Sequence, residues 1–271
     1  MILWRKQASP EWLAANESRL EQIAGRELAI IDRPGRARSL VQVICRRREM
    51  AAQLLRDFGG SARPLPCNWW KIAPKHPPIR VGRRLEIVGE PARPPRPNGK
   101  LQLVIPAAGA FGTGEHATTA MSLRLLAEIA RNLPPGWRLL DAGTGTGILA
   151  LAARRLGAGE VLGLDIDSRA VAHARQNARL NRISRAKFIA ADVLRWKPLA
   201  RYEVVTANLF SELLIAALPN FRRALSSNGC LIVSGILREQ AAAVVHALRG
   251  AGFHLERQRR RGKWVALLCA L

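Results

Sequence analysis

The sequence lacks the features that mark several large protein classes. Its four cysteines (Cys45, Cys67, Cys230, Cys269) lie far apart with no Cys-x-x-Cys pair, so it encodes neither a disulfide framework nor a zinc-finger-like site. The five histidines (His76, His116, His173, His246, His254) are equally scattered, which argues against a metal enzyme. No apolar run approaches the roughly 20 residues a membrane-spanning helix needs. The opening Met-Ile-Leu-Trp-Arg-Lys turns charged at once and has neither the apolar core nor the cleavage site of a signal peptide. The expectation is a cytoplasmic protein with no metal and no membrane contact.

What is present fits an ordinary globular chain: 271 residues, 48% hydrophobic, mean hydropathy −0.02. The net charge is +23. It is spread evenly, with 20 basic and 9 acidic side chains in residues 1–100 and 23 and 11 in residues 101–271. Two readings stand for this excess. One is solvated arginine-rich surface that reflects coding bias; the other is a preference for an acidic or RNA-containing partner.

The clearest break is the segment 89–100, where Pro91, Pro94, Pro95 and Pro97 interleave with Arg93 and Arg96. Prolines this dense lack amide donors and favour extended backbone, which predicts a stiff linker between domains 1–88 and 101–271. Ahead of it, Ser9-Pro10 reads as an N-cap and first helical residue for a helix over Glu11–Ala24, stopped by Gly25. Glu27–Asp32 and Ser39–Cys45 are rich in β-formers and flank Pro34-Gly35, predicting a hairpin. Arg47–Phe58 reads as a second helix closed by Gly59-Gly60, and a small α+β domain results.

After the linker, strands and helices alternate. Strands are expected at Arg138–Asp141, Val161–Asp165, Lys187–Ala190, Tyr202–Ala207 and Cys230–Ser234. Helices are expected at Ile148–Leu156, Arg169–Leu180, Glu212–Leu225 and Arg238–Ala251. Phe253–Arg257 and Trp264–Cys269 close the chain as two strands with no helix between them. Apolar strands separated by helices predict a doubly wound, mostly parallel sheet covered on both faces, with antiparallel pairing at one edge.

The chemistry concentrates at the ends of these strands. Asp141-Ala-Gly143-Thr-Gly145-Thr-Gly147 follows a strand and opens a helix, and glycine is needed where backbone turns sharply against a ligand. Asp165, about 20 residues on, ends the next strand, where a carboxylate holds ribose hydroxyls. The spacing is Gly-x-Gly-x-Gly with an acid ahead of it, not the Gly-x-Gly-x-x-Gly of dinucleotide folds. Asp141 is ill placed beside a pyrophosphate and well placed beside the ammonium of a methionine moiety. Asp192, after the third strand, reads either as an acceptor for an adenine amine, with Val193 against the ring, or as a helix N-cap. Asn208 ends the fourth strand and offers a carbonyl acceptor to a nucleophile, or caps the helix that comes after it. Ala110-Phe111-Gly112-Thr113-Gly114-Glu115-His116-Ala117-Thr118-Thr119 is a glycine-rich polar segment ahead of that domain's first helix.

These segments together resemble the ribosomal protein L-eleven (L11) methyltransferases, the PrmA type. The matching stretches are Ala110–Thr119, Asp141–Ile148, Asn208-Leu209, Ser234–Leu237 and Gly262–Leu267, with Trp69-Trp70-Lys71 and Ile79–Leu85 upstream. The likeness covers roughly residues 69–271. Glu115, Ala117, Phe210 and Lys263 depart from the family pattern, as do Thr144 and Thr146, which replace the more usual cysteine and serine. Residues 1–68 match only as an α+β pattern.

The resemblance implies a Rossmann-like class I fold with a seven-stranded sheet and S-adenosylmethionine as cofactor. It places contacts on Thr119, Gly143, Asp165 and Asn208, beside Asp141, Gly145, Gly147, Asp192 and Val193, with Phe111 over the methyl-donor pocket. It implies methylation of lysine ε-amines or the N-terminal α-amine of the large-subunit stalk-base protein, recognised by the N-terminal domain. Asn208 and Phe111 are then the expected catalytic residues, and His116 either a base or loop structure. The alternatives are a methyltransferase for RNA or another protein, and a silent ribosome-binding homologue.

Overall fold

The structure, a computed structural model, describes residues 1–31, 38–45, 47–65, 78–82, 84–89, 101–106 and 116–271. Phe111 and its glycine neighbours, the Pro34-Gly35 turn, Trp69-Trp70-Lys71 and the proline-rich stretch 90–100 lie outside the described residues. Two compact units result, Met1–Lys75 and His76–Leu271.

In the first unit, β1 (Ile2–Ala8) is paired antiparallel on one side with β3 (Ser39–Cys45) and on the other with β4 (Ser61–Pro64), and β2 (Leu28–Ile31) joins the far edge of β3. Helices α1 (Pro10–Ala24) and α2 (Arg48–Phe58) supply Leu20, Ala24, Ala51, Leu54 and Phe58 to a core with Trp4, Val41, Val43 and Cys45. The Ser9 hydroxyl accepts from the Trp12 amide at 3.3 Å, with Pro10 in the first turn and Gly25 at φ +50 ending the helix, as the capping signals predict. Strand β1 is hidden in the sequence because Arg5, Lys6 and Gln7 interrupt its apolar pattern. Trp4, fully buried, donates its indole N–H to the Gly59 carbonyl at 2.8 Å and meets Phe58 edge-on.

The second unit begins with β5 (Ile79–Val81), β6 (Leu85–Val88) and β7 (Leu101–Val104), in which β6 pairs parallel with β7 across the proline-rich stretch. Leu85 and Ile87 share one core with Leu103, Leu125 and Leu126. The border between units therefore lies ahead of the proline-rich stretch, not within it, because burial ties β6 to the larger unit.

Next come α3 (Ala117–Ile129), β8 (Arg138–Ala142), α4 (Ile148–Arg155), β9 (Glu160–Asp165), α5 (Ser168–Leu180), β10 (Ala186–Ala190) and β11 (Tyr202–Asn208). They are succeeded by α6 (Ser211–Ala224), β12 (Leu225–Leu237), α7 (Ala241–Gly250), β13 (His254–Arg261) and β14 (Trp264–Ala270). Strands β8–β14 form one seven-stranded sheet in the order β10-β9-β8-β11-β12-β14-β13, parallel except around β14. This is the doubly wound, mostly parallel sheet the alternation predicts.

Side chains sort between its two faces with period two. Leu139, Val204, Ile232, Ala266 and Leu268 join the core under α3, α4 and α5. Their neighbours Leu140, Val205, Leu231, Val233, Val265 and Leu267 join the core under α6 and α7. Each fully buried leucine or isoleucine contributes roughly 1.5–3 kcal/mol. Among the described residues no helix is long and apolar enough to cross a membrane.

A polar device fastens the small sheet to the end of α5. Asn181, buried at the end of α5, accepts the Val104 amide on Oδ1 and donates from Nδ2 to the Val104 carbonyl, both at 2.7 Å. Its side chain thus bonds the edge of β7 as a neighbouring strand would. Asn181→Ala should strand both buried Val104 groups and destabilise the second unit by roughly 2–4 kcal/mol. Hydrogen exchange at the Val104 amide, read beside the thermal midpoint, checks this; an unaltered protection factor there would remove the role.

Candidate functional site

The strand order reverses between β8 and β11, and open α/β sheets bind ligands in the crevice outside the strand ends at such a switch point. The sequence delivers its polar residues to that place. Asp141 lies near the end of β8, Asp165 ends β9 and Asn208 ends β11.

The loop after β8 is built on glycine. Gly143, Gly145 and Gly147 have φ of +71, +53 and +79, left-handed values that L side chains rarely adopt. A Cβ on Gly143 would lie 2.4 Å from Leu209 Cδ2, and one on Gly235 (φ +88) would lie 2.3 Å from the Leu209 carbonyl oxygen. Leu209 is therefore clamped between the β8 loop and a bend in β12. That explains the Ser234-Gly235 pair, whose role the sequence leaves open.

Asp141 is 1% exposed. Its Oδ1 accepts the Thr206 hydroxyl and its Oδ2 the Thr144 hydroxyl, each at 2.7 Å. Thr206 is its direct partner in the β8–β11 register; a threonine inside the apolar run of β11 was the available signal for this pair. Burial pushes the Asp141 carboxyl up from about 3.8 to about 6, against the two threonine bonds, and the Asp165 charge pushes the same way. No cation is among the groups acting on it. Asp141 is thus a support beneath the loop, acting on the crevice through its charge and not through an accessible oxygen.

Asp165 sits in the crevice wall, accepting the Gly145 amide on Oδ2 at 2.8 Å and the Asp167 amide on Oδ1 at 3.0 Å. The bond from Gly145 brings the two expected elements, loop and second acid, together. Asn208 donates from Nδ2 to the Thr119 hydroxyl at 3.3 Å, joining two expected contact residues 89 positions apart. Asp192 accepts the Leu194 amide at 2.9 Å and caps a turn, with no helix after it. Val193 is buried in the core under α6 and α7, so its side chain packs inward. Ile166 and Phe210, just past the ends of β9 and β11, are 78% and 76% exposed.

His116, at the start of α3, shares a 2.7 Å hydrogen bond between its Nδ1 and the Thr118 hydroxyl, and its ring meets Trp264 edge-on at 5.1 Å. Burial, then the nearby Lys263 and Arg261 charges, holds its pKa below the ordinary histidine value. Both ring contacts tie His116 into structure, which favours the loop-structure reading over that of a base. Among the described residues no group of His, Cys, Asp and Glu is placed to hold a metal.

The family described as ribosomal protein L11 methyltransferase (PrmA) matches residues 67–270. The chain is similar to the ribosomal protein L11 methyltransferase of Lacticaseibacillus paracasei, 38% identical over 74% of this chain and 62% of that protein. It is equally similar to the namesake from Pelotomaculum thermopropionicum, 38% identical over 82% of this chain and 74% of that one. Among solved structures, the ribosomal protein L11 methylase of Lactobacillus delbrueckii subsp. bulgaricus superposes with a TM-score of 0.64 at 30% identity, covering 71% of this chain and 97% of that one. The chain spans about 62 to 74% of the length of these two curated relatives.

Two expectations arise from the geometry. Asp141 has a folded pKa above its unfolded one, so folding favours its neutral form and the ligand-free chain should lose stability as pH rises between about 4 and 6. The loss attributable to this group reaches about 3 kcal/mol, and Asp141→Asn should flatten that part of a urea-stability profile; parallel wild-type and variant curves would refute it. Gly235→Ala, which forces a Cβ against a backbone oxygen at positive φ, should cost roughly 3 kcal/mol. By thermal midpoint it should exceed Gly143→Ala, whose clash is with the movable end of Leu209.

Proposed function

The chain belongs to the ribosomal protein L11 methyltransferase family, and from that premise we propose that it transfers methyl groups from S-adenosylmethionine to amines of ribosomal protein L11. The targets proposed are lysine ε-amines and the N-terminal α-amine. The observation that carries this reading is the charge of the crevice. In a chain of net charge +23, the switch point holds two mutually repelling carboxylates, Asp141 and Asp165, with no cation acting on the buried one. Such a site fits a cationic ligand and disfavours a pyrophosphate. The glycines, which leave the loop without side chains, fit a ligand lying close against backbone.

In this reading Asp165 holds the ribose hydroxyls through the lone pairs its two amide bonds leave. The backbone of Gly143 and Gly145 would hold the methionine moiety, and the buried Asp141 would favour its positive charge through the loop. Ile166 supplies the apolar surface for the adenine ring, and Asp192 an acceptor at its edge. Bound S-adenosylmethionine supplies a sulfonium methyl open to in-line displacement. The chain's own task is to align an amine and hold it neutral. A lysine of pKa about 10.4 is uncharged about once in a thousand at pH 7.4, an obstacle of about 4 kcal/mol.

Asn208 is placed to lower that cost. With Nδ2 donating to Thr119, Oδ1 is the atom offered to the crevice as acceptor for an amine hydrogen. The exposed ring of Phe210, next in line after Leu209, supplies an apolar wall, and Phe111 is proposed to close the other side. Desolvation between them favours the neutral amine. The first unit, Met1–Lys75, is proposed to recognise the ribosomal protein.

Mass spectrometry of L11 incubated with the protein and cofactor tests this directly, with methyl additions expected on amines; an unchanged mass would refute it. Asn208→Ala should lower turnover about a hundredfold, and Thr119→Val, which frees the amide to rotate, by about tenfold. Calorimetry should show cofactor uptake surviving in Thr119→Val. Wild-type rates in Asn208→Ala would take this residue out of the chemistry.

A further inference from the structure

Among the described residues, part of the basic excess gathers on one hairpin beside the crevice. Strand β13 forms an edge of the seven-stranded sheet and carries Arg257, Arg259, Arg260 and Arg261, with Lys263 in the turn to β14. The turn is tight: Gly262 takes φ +58 and Lys263 comes next without a positive φ, the type II′ pattern of a two-residue hairpin. Arg238 braces it twice, donating its amide to the Lys263 carbonyl at 2.9 Å and its guanidinium to the Gly262 carbonyl at 3.0 Å.

The cations divide into two sets. Arg257 and Arg259 both bond Glu128 of α3, so one carboxylate fastens β13 to that helix. Arg260, Arg261 and Lys263 are exposed at the tip. Lys263 Nζ lies 5.5 Å from the centre of the Trp264 ring, and that ring packs against His116 at the start of α3. The first turn of the same helix carries Thr119, bonded to Asn208. The rigid, positively charged tip therefore adjoins the helix end that forms one wall of the crevice.

We propose that this hairpin tip is a docking surface for the phosphate backbone of RNA, positioned so that RNA associated with a ribosomal protein is held while that protein's amine reaches Asn208. The choice of RNA rests on the function proposed above; the surface itself rests on charge and geometry. Guanidinium groups offer planar forks of donors that match phosphate oxygens. A preformed turn places three cations without the ordering cost a disordered tail would incur. The arginine-bearing edge strand also resists pairing with another strand, which sets a phosphate backbone above an added peptide strand as the occupant.

The test is a binding titration of the intact protein with labelled single-stranded RNA of mixed sequence across a range of salt, with neither cofactor nor ribosomal protein present. Replacing Arg260, Arg261 and Lys263 together by Gln should weaken binding about tenfold or more and reduce the slope of log affinity against log salt by about 2. A variant with Arg260→Lys and Arg261→Lys, which keeps the charge, should bind RNA within a few-fold of wild type, separating charge from folding. The control replaces Arg182, Arg185 and Lys187 by Gln near β10, the opposite edge of the sheet, and should leave binding nearly unchanged. Equal losses from the two triple variants would overturn the proposal in favour of a diffuse field. Tighter tip-dependent binding of polyglutamate than of RNA would overturn it in favour of an acidic protein. Because the titration involves no methyl transfer, its outcome stands apart from that of the mass-spectrometric test.

Discussion

A carboxylate buried to 1% exposure, bonded by hydroxyls and backbone but with no cation acting on it, is held at a cost, and this chain places one in its larger unit. Asp141 ties β8 to β11 through Thr206 and ties the glycine loop to β8 through Thr144. Its two bonds set the height of the loop above the strand ends. The Gly145 amide then reaches the Asp165 carboxylate on β9. Three neighbouring strands are thus linked through two acids, and the crevice between them carries negative charge in a strongly basic protein. A cationic ligand entering there meets a field already in place, which is the sense in which the site is preorganised.

Around this acid the loops interlock by omission of side-chain atoms. Gly143 and Gly235 leave the space that Leu209 fills from either side, and Gly163 leaves room for the Thr144 hydroxyl and the Phe188 ring. Thr144 stands where the family more commonly has cysteine. Its hydroxyl is a stronger donor than a thiol, so the bond to Asp141 gives this departure a physical meaning. Asn208 is positioned by the same packing, since Leu209 fixes the chain that leaves β11 and Thr119 fixes the amide itself.

Much of the fold was legible because its signals are local. The Ser9-Pro10 cap, Gly25, the alternation of strands with helices and the closing hairpin without a helix are each written within a few residues. The fold departs from the sequence reading where apolar periodicity is broken or a segment is short. Strand β1 hides behind Arg5, Lys6 and Gln7. The strands β5, β6 and β7 span only 3, 4 and 4 residues, too short to announce themselves by period. Prolines mark a break in the regular pattern of strands and helices, yet they do not say on which side of it a domain ends; the burial of Leu85 and Ile87 does.

For the site, the chain order alone determined which residues end the strands, so Asp141, Asp165 and Asn208 could be named as a set from glycine spacing and strand position. That is possible because strand ends and tight turns are encoded by neighbours in sequence. Only the tertiary structure decided what those residues do to each other: that Thr206 and Thr144 take both oxygens of Asp141, that Thr119 reaches Asn208 across 89 residues, that Val193 faces the core while Ile166 and Phe210 face solvent, and that Trp264 brings a basic turn to His116. Each of these depends on the order of strands in the sheet, a global property set by how both faces bury their apolar side chains, and no short window of residues carries it.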